Sequence, residues 1–212
     1  FSGPLTVADD RNFGASSAGV VMADGTLRLS DDIVSTRAFG LAEGGGTFDT
    51  AGHHLSLQGP IVGAGTLTKI GAGTLEIAGT AAYTGATTVN AGTLKVSGSL
   101  QSSVSVADGA TLSGSGRVGA LVAHGRVAPD APDGTLTVTG NAALLEGSTL
   151  QVASDPQGRF SSLLADSATL RGTSSLPSAM CAHVPPLFRK LRSSPTRSTH
   201  RLLSASSGPK LI

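Results

Sequence analysis

The tripeptide Gly-Thr-Leu recurs along this chain of 212 residues and is the feature that most restricts its fold. It starts at Gly25, Gly65, Gly73, Gly92 and Gly134, with close variants at Gly46, Ala110, Ser148 and Ala168. Most successive starts are about twenty residues apart, and an internal period of that length is typical of solenoids, in which each repeat stacks on the next. The sequence therefore predicts a repeat architecture.

The residues after each tripeptide alternate between apolar and polar. Leu75 and Leu94, for example, are each followed two places on by another aliphatic residue, with Glu76 or Lys95 between. This period of two is that of a β-strand with one apolar and one polar face. No stretch of ten or more positions shows helical spacing. Stacking such strands in register predicts an all-β fold, a parallel β-helix of about eight rungs over residues 1–172.

Three local expectations follow from this pattern. The step from Gly65 to Gly73 is too short for a full rung, so the two strands should lie on different faces of one turn. Strict alternation from Leu67 would point Lys69 inward, which predicts that the strand has ended by then. Glycines after the strands are expected to supply bends, as at Gly79, Gly98 and Gly140.

Composition agrees with a narrow core and divides the chain in two. Aromatic residues make up 3% and charged residues 14% of the chain. Residues 1–172 contain nine Lys or Arg against fourteen Asp or Glu, a net charge of −5, whereas residues 173–212 contain six Lys or Arg and no acid, a net charge of +6. Five of the ten prolines also lie in the second segment. We therefore expect an irregular, basic C-terminal tail.

Two expectations concern that tail. Its basic run, residues 188–192, is expected to be solvated, and no nucleic-acid partner is predicted. Residues 201–206 could add one short strand at the open end of the last rung, and self-association through that exposed end is expected if it stays uncapped.

The stretch from Gly63 to Gly98 resembles the passenger-associated repeat of Gram-negative autotransporters. In that family a G-x-G-x-L-x-K-x-G-x-G-T-L run precedes a Tyr-Thr-Gly-x-Thr-Thr-Val segment and another Gly-Thr-Leu. The likeness extends on both sides and covers about 170 residues of the chain. The matching residues are Gly63, Gly65, Leu67, Lys69, Gly71, Gly73, Thr74, Leu75, Tyr83, Thr84, Gly85, Thr87, Thr88, Val89, Gly92, Thr93 and Leu94.

This resemblance implies a right-handed parallel β-helix that a C-terminal outer-membrane barrel exports to the cell surface. It also implies a host-surface or matrix ligand contacted through the side faces. No series of alternating ten-residue segments typical of such a barrel occurs in the chain, and its first residues lack the features of a signal peptide. We therefore expect that the chain is a fragment. Residues 173–212 depart from the family pattern, and a frameshift in the gene is one explanation for that departure.

No complete set of catalytic, cofactor-binding or metal-binding residues is predicted. The string from Gly114 to Gly119 fits G-x-G-x-x-G, but no helix can follow it, so its glycines are expected in turns. His53 and His54 should face opposite sides of a strand, without a second ligand pair for zinc. The pairs at residues 9–10 and 31–32 are expected to cap turns. Tyr83 should pack in a rung.

Two classes of function remain open at this point. The first is a non-catalytic structural or adhesive stalk segment of an exported passenger. The second is a β-helix enzyme that cleaves polysaccharide, or a carbohydrate-binding surface protein. An enzyme should cluster charged residues on one lateral face over neighbouring rungs. The charged residues beside the tripeptides, such as Glu76 and Lys95, are instead expected to be scattered. A third, ice- or crystal-binding reading is suggested by Thr135, Thr137 and Thr139, but it requires threonine arrays on every rung.

Overall fold

The computed structural model describes residues 1–171 and the backbone of residues 173–175 and 210–211. This described part contains β-strands and one short 3-10 helix, Asp10–Phe13. The strands are β1 (Gly3–Val7), β2 (Val20–Met22), β3 (Gly25–Leu29), β4 (Ile33–Ser35), β5 (Phe39–Leu41), β6 (Gly46–Asp49), β7 (His54–Leu57), β8 (Ile61–Gly63), β9 (Leu67–Ile70), β10 (Thr74–Ile77), β11 (Thr80–Ala81), β12 (Thr87–Val89), β13 (Thr93–Val96), β14 (Ser99–Leu100), β15 (Val104–Val106), β16 (Thr111–Gly114), β17 (Arg117–Val118), β18 (Leu121–Ala123), β19 (Arg126–Pro129), β20 (Thr135–Leu144), β21 (Thr149–Gln151), β22 (Ser162–Leu170), β23 (Thr173–Ser175) and β24 (Lys210–Leu211).

The strands form a parallel β-solenoid, as the repeat predicted, with about 7 turns in place of the eight rungs expected. Each turn, or rung, after the first contributes a strand to each of three faces. Face one consists of β1, β3, β6, β9, β12, β15, β18 and the second half of β20; face two of β4, β7, β10, β13, β16, β19, β21 and β23; face three of β2, β5, β8, β11, β14, β17 and the first half of β20.

Apolar side chains stack in columns inside the solenoid. On face two the pairing register places Leu55, Leu75, Leu94 and Leu112 directly on one another, and all four are fully buried. The outward residues that follow Leu75 and Leu94, namely Glu76 and Lys95, stay partly exposed, whereas Ser56 after Leu55 is buried. The predicted alternation is therefore confirmed, and each buried Leu adds about 1.5–3 kcal/mol of hydrophobic stabilisation.

One strand differs from its prediction. β9 begins at Leu67 and continues to Ile70, so the strand does not end before Lys69, and the side chain of Lys69 points inward with no exposed surface. The register places Lys69 between Phe48 and Val89 in an otherwise apolar column. The expectation that Gly65 and Gly73 precede strands on different faces is confirmed, because β9 lies on face one and β10 on face two.

Stacked glycines form the corner between faces two and three. A Cβ atom on Gly98 would lie 2.1 Å from the carbonyl oxygen of Gly79, and one on Gly116 would lie 2.2 Å from that of Gly98. Neither Gly79 nor Gly98 has a positive φ angle. These glycines are thus required by the close approach of successive rungs, and not by a backbone bend as the sequence suggested.

The first rung replaces its face-two strand by the loop of residues 8–19, which includes the 3-10 helix and lies against β4. Arg37 holds this loop, and its side chain is 1% exposed. Its Nε donates to Asp10 Oδ2 at 2.9 Å, and its two terminal nitrogens donate to the backbone oxygens of Asp10, Gly14, Ala15 and Ala18. All five guanidinium donors are therefore used.

The C-terminal end of the described solenoid is more irregular. β20 is one ten-residue strand with a register shift between Val138 and Asn141, and it joins faces three and one. β23 pairs in parallel with β21, and β24 pairs antiparallel with β22. Residues 201–206, predicted as a possible edge strand, lie outside the described residues, as does most of the predicted irregular tail; the boundary at residue 172 and self-association stay predictions.

The glycine corner generates the first testable prediction. Gly98→Ala should destabilise the solenoid by about 2 kcal/mol or more, since the new methyl group would contact a backbone carbonyl that cannot move without displacing a rung. Gly140→Ala is the matched control, because its Cβ would meet nothing closer than 3.5 Å. Urea unfolding of both variants checks this, and equal effects would show that the corner tolerates side chains.

Candidate functional site

The predicted repeat motif divides between the interior and the corners of the solenoid. Its larger side chains are buried, including those of Leu67, Lys69, Leu75, Tyr83, Val89 and Leu94, and its glycines lie at close contacts between rungs. Its threonines at positions 74, 88 and 93 point outward and are half-buried. Most of the motif thus builds the solenoid, which leaves few of its side chains free for chemistry at the surface.

Lys69 is the one charged residue of this motif, and its ammonium group binds backbone carbonyls. Nζ donates to the oxygen of Ile70 at 2.8 Å, of Gly71 at 2.7 Å and of Ala91 at 3.1 Å. Ile70 ends β9 and Gly71 begins the corner that follows it, whereas Ala91 belongs to the same corner one rung further on. The three donors of one ammonium group therefore join two successive corners.

Burial changes the acid–base behaviour of Lys69. Desolvation lowers its pKa from 10.5 to about 8, although the negative charge of Asp49 acts in the opposite direction. A buried cation is costly unless hydrogen bonds satisfy its donors, and here three carbonyl oxygens do so. This residue is therefore a structural contact whose strength depends on pH.

Tyr83 is buried as predicted, with 1% of its surface exposed. Its hydroxyl group bonds to Thr87, whose hydroxyl bonds in turn to Ser102. Desolvation raises the pKa of Tyr83, although both hydroxyl partners act to lower it. This buried network excludes Tyr83 from stacking on a sugar and gives the motif Tyr and Thr a packing role.

Charged residues of neighbouring rungs pair on face two. Glu76 lies directly opposite Lys95, with Oε1 3.3 Å from the Lys95 Nζ, and its Oε2 is 3.4 Å from His54 Nε2. Burial alone would raise the pKa of Glu76, but hydrogen bonds from Ser97, Lys95 and Ser56 and the charge of Lys95 outweigh it and lower the pKa. The expectation of scattered charges is therefore wrong for this pair, which in-register stacking brings together.

The two adjacent histidines contact different carboxylates. β7 begins at His54, so His53 lies in the preceding turn, with Nδ1 3.6 Å from Asp32 Oδ1. His54 instead reaches Glu76 on the next rung. Among the described residues, no group of three or more His, Cys, Asp or Glu side chains is arranged to hold a metal ion.

The two aspartate pairs cap and turn the chain, as predicted. Asp9 is the N-cap of the 3-10 helix, with a reciprocal capping box, and Asp31 Oδ1 accepts from the backbone N–H of Asp32. The structure also brings the pairs together, which the sequence did not predict. Asp9, Asp10 and Asp32 line one depression of about 410 Å³, where one oxygen of Asp10 pairs with Arg37 and the other is buried without a partner.

The candidate nucleotide fingerprint is built from strands and turns. After Gly114 the next regular elements are the strands β17 and β18, and neither Gly116 nor Gly119 lies in a strand or helix. Each of these glycines lies against backbone oxygens of the preceding rung. The prediction of turn glycines is therefore confirmed for Gly116 and Gly119 and wrong for Gly114, which is the last residue of β16. In the described part of the chain, no helix is both long and apolar enough to cross a membrane.

Outward threonines form columns that the sequence did not reveal. On face one, the register aligns Thr26, Thr47, Thr68 and Thr88, one on each of four successive rungs. The three threonines of β20 were the only array expected, yet Thr137 lies opposite Arg117 on one side and Leu164 on the other. Finding these columns requires the pairing register of the strands, and the sequence alone does not give that register.

Comparison with known proteins agrees with this geometry. Residues 67–96 match the family model described as the passenger-associated transport repeat. These residues run from β9 to β13 and contain Lys69, Tyr83 and the stacked Leu75 and Leu94. The prediction of passenger-type repeats in this segment is therefore confirmed.

Two curated proteins are similar to the chain over part of its length. An extracellular serine protease of Serratia marcescens is 42% identical over 121 residues, which cover 56% of this chain and 12% of that protein. The adhesin BmaC autotransporter of Brucella suis is 42% identical over 80 residues, which cover 36% of this chain and 2% of that protein. The chain thus spans a small part of each relative, and no solved structure matches it.

The second testable prediction concerns Lys69 and pH. The folded pKa is about 8 and the ordinary value 10.5, so between these values the unfolded chain binds more protons than the folded one. Stability should therefore rise with pH across this window, by about 3 kcal/mol at most relative to Lys69→Met, in which the effect is absent. Urea unfolding of both proteins at several pH values measures this. A pH-independent difference would show that the carbonyls hold the pKa at its ordinary value.

Proposed function

We propose that this chain is a non-catalytic stalk segment of an autotransporter passenger, exported to the bacterial surface, that holds adhesive regions away from the cell. The observation that carries this proposal is the passenger repeat at residues 67–96. Its defining side chains fill the interior and its glycines let rungs stack closely, so the repeat specifies length and rigidity more than chemistry.

The two relatives support a surface role in different ways. One is named an adhesin and an autotransporter, which favours an adhesive passenger exported by an outer-membrane barrel in the parent protein. The other is named a protease, but the matched residues cover 12% of its length. Likeness to parts of proteins with different names fits a scaffold that carries other activities, and a host-surface or matrix ligand would be contacted through its side faces.

Export can be tested by fusing the described solenoid, behind an N-terminal epitope, to a heterologous autotransporter barrel. We expect the epitope on the cell surface and the solenoid resistant to added protease. The matched control is Leu94→Asp, which places an unpaired charge in the core column. It should lower the free energy of unfolding by about 3 kcal/mol or more. An epitope that stays inside the cell, or a wild-type solenoid cleaved as fast as this control, would contradict the proposal.

A polysaccharide-cleaving enzyme is the second candidate, and one observation favours it. The depression beside Arg37 gathers Asp9, Asp10 and Asp32, and acid–base cleavage of a glycosidic bond requires two carboxylates. Against it, Asp10 is already paired with Arg37, and Asp32 Oδ1 accepts from the backbone N–H of His54 at 2.8 Å. These contacts favour a structural use of both carboxylates.

The third prediction separates these two functions. The purified chain should release no reducing ends from neutral or acidic polysaccharides, because the carboxylates of the depression serve as caps and ion pairs. Turnover that is lost in Asp32→Asn but kept in Asp108→Asn, a surface control on another rung, would establish the enzyme and overturn the non-catalytic assignment.

A further inference from the structure

A second groove lies on face two, several rungs from the depression beside Arg37. Its volume is about 420 Å³, and six polar and four apolar residues line it. Ala128 is the small outward residue at its centre, and Ser113 and Gln151 occupy the equivalent positions on the rungs before and after. A short side chain between two longer ones leaves a dip in the sheet surface, and the backbone turn after Pro129 forms one wall.

The groove contains one cation and one anion that the protein itself does not neutralise. Several other surface charges on this part of the fold are paired, as Lys95 is with Glu76 and Arg159 with Asp133. Among the described residues, neither Arg126 nor Asp130 has an ion pair or a side-chain hydrogen bond, although both line the groove. Two opposite charges that face one groove without partners are available to a ligand.

The wall that carries Asp130 is fixed from outside the groove. Arg159 donates to Asp133 at 2.9 Å and to Asp155 at 2.6 Å, which ties the turn before β20 to the loop after β21. The backbone N–H of Asp130 also donates to the oxygen of Gly114 at 3.1 Å. The carboxylate is therefore presented from a turn with several anchors, so that binding would order little of the protein.

The lining has the chemistry of a site for hydroxyl groups. Thr111 and Arg126 are adjacent in one outward column, while Ser113 and Gln151 belong to the next column. Together with Asp130 they offer hydroxyl, amide, guanidinium and carboxylate groups, which donate and accept hydrogen bonds at intervals set by the rung spacing of about 4.8 Å. This spacing is close to the length of one pyranose unit in an extended glycan.

We propose that this groove binds a neutral, extended glycan whose chain runs along the solenoid axis. The two unpaired charges sum to zero, so an uncharged polyhydroxyl chain can satisfy both: its hydroxyls donate to Asp130 and accept from Arg126. No aromatic side chain lines the groove. Stacking is thus missing, each site is weak, and useful adhesion depends on many copies at one surface. The proposal rests on the stalk function only in placing the glycan outside the bacterial cell.

Amide NMR of the full chain tests this inference without any need for display on cells. The neutral probes are maltohexaose, cellohexaose and chitohexaose, with hexagalacturonate as the acidic comparison. We expect saturable shifts with at least one neutral probe, confined to residues 111–113, 126–131 and 151–153. Arg126→Ala and Asp130→Asn should each weaken binding about tenfold, the effect of losing a hydrogen bond to a charged group.

Arg117→Ala is the matched control, because Arg117 is an exposed arginine on face three that likewise has no ion pair in the described part of the chain. It should leave the shifts unchanged. Ala128→Phe, which fills the dip with an outward side chain, should abolish them while the other amide signals keep the folded pattern. The inference is overturned if no neutral probe shifts these amides, if only hexagalacturonate does, or if Arg117→Ala weakens binding as much as Arg126→Ala.

Discussion

In-register pairing between successive rungs is the constraint on which the rest of this structure depends. Parallel hydrogen bonds place each residue opposite its equivalent on the neighbouring rung, at a spacing of about 4.8 Å. Leu75 therefore contacts Leu94, and Glu76 contacts Lys95. Like charges at equivalent positions would repel at this distance, whereas like aliphatic residues bury each other. The sequence meets this requirement through its low content of charged residues and its alternation of apolar and polar residues.

Lys69 shows how strongly the same constraint acts on a residue that does not suit it. Its position in the register is interior, with Phe48 before it and Val89 after it. The side chain is long enough to carry its ammonium group to the corner, where three backbone carbonyls accept its hydrogen bonds. A shorter cation would leave the charge in the core, and an aliphatic residue would leave those carbonyls without this donor.

Much of the fold could be predicted from the sequence, because alternation and the recurrence of Gly-Thr-Leu are local signals. The assignment of Leu94 to the core and the separation of Gly65 from Gly73 by face needed only a period of two and a repeat length. Lys69 was assigned wrongly because alternation alone cannot show that a corner supplies carbonyl acceptors for an inward amine. The pairing of Glu76 with Lys95 and the groove at Ala128 depend on register and on distant loops, and no local pattern encodes either.

The anchoring of residues 8–19 by Arg37 has a consequence for how such solenoids acquire new parts. A rung there gives up one of its three strands, and one guanidinium group with five donors holds the replacement in position. The chain then resumes the same stacking at β2, so the interruption stays local. A scaffold with this property can exchange a strand for a loop of different length and sequence without repacking its core. Its surface can therefore diversify while the stacking of its rungs stays the same.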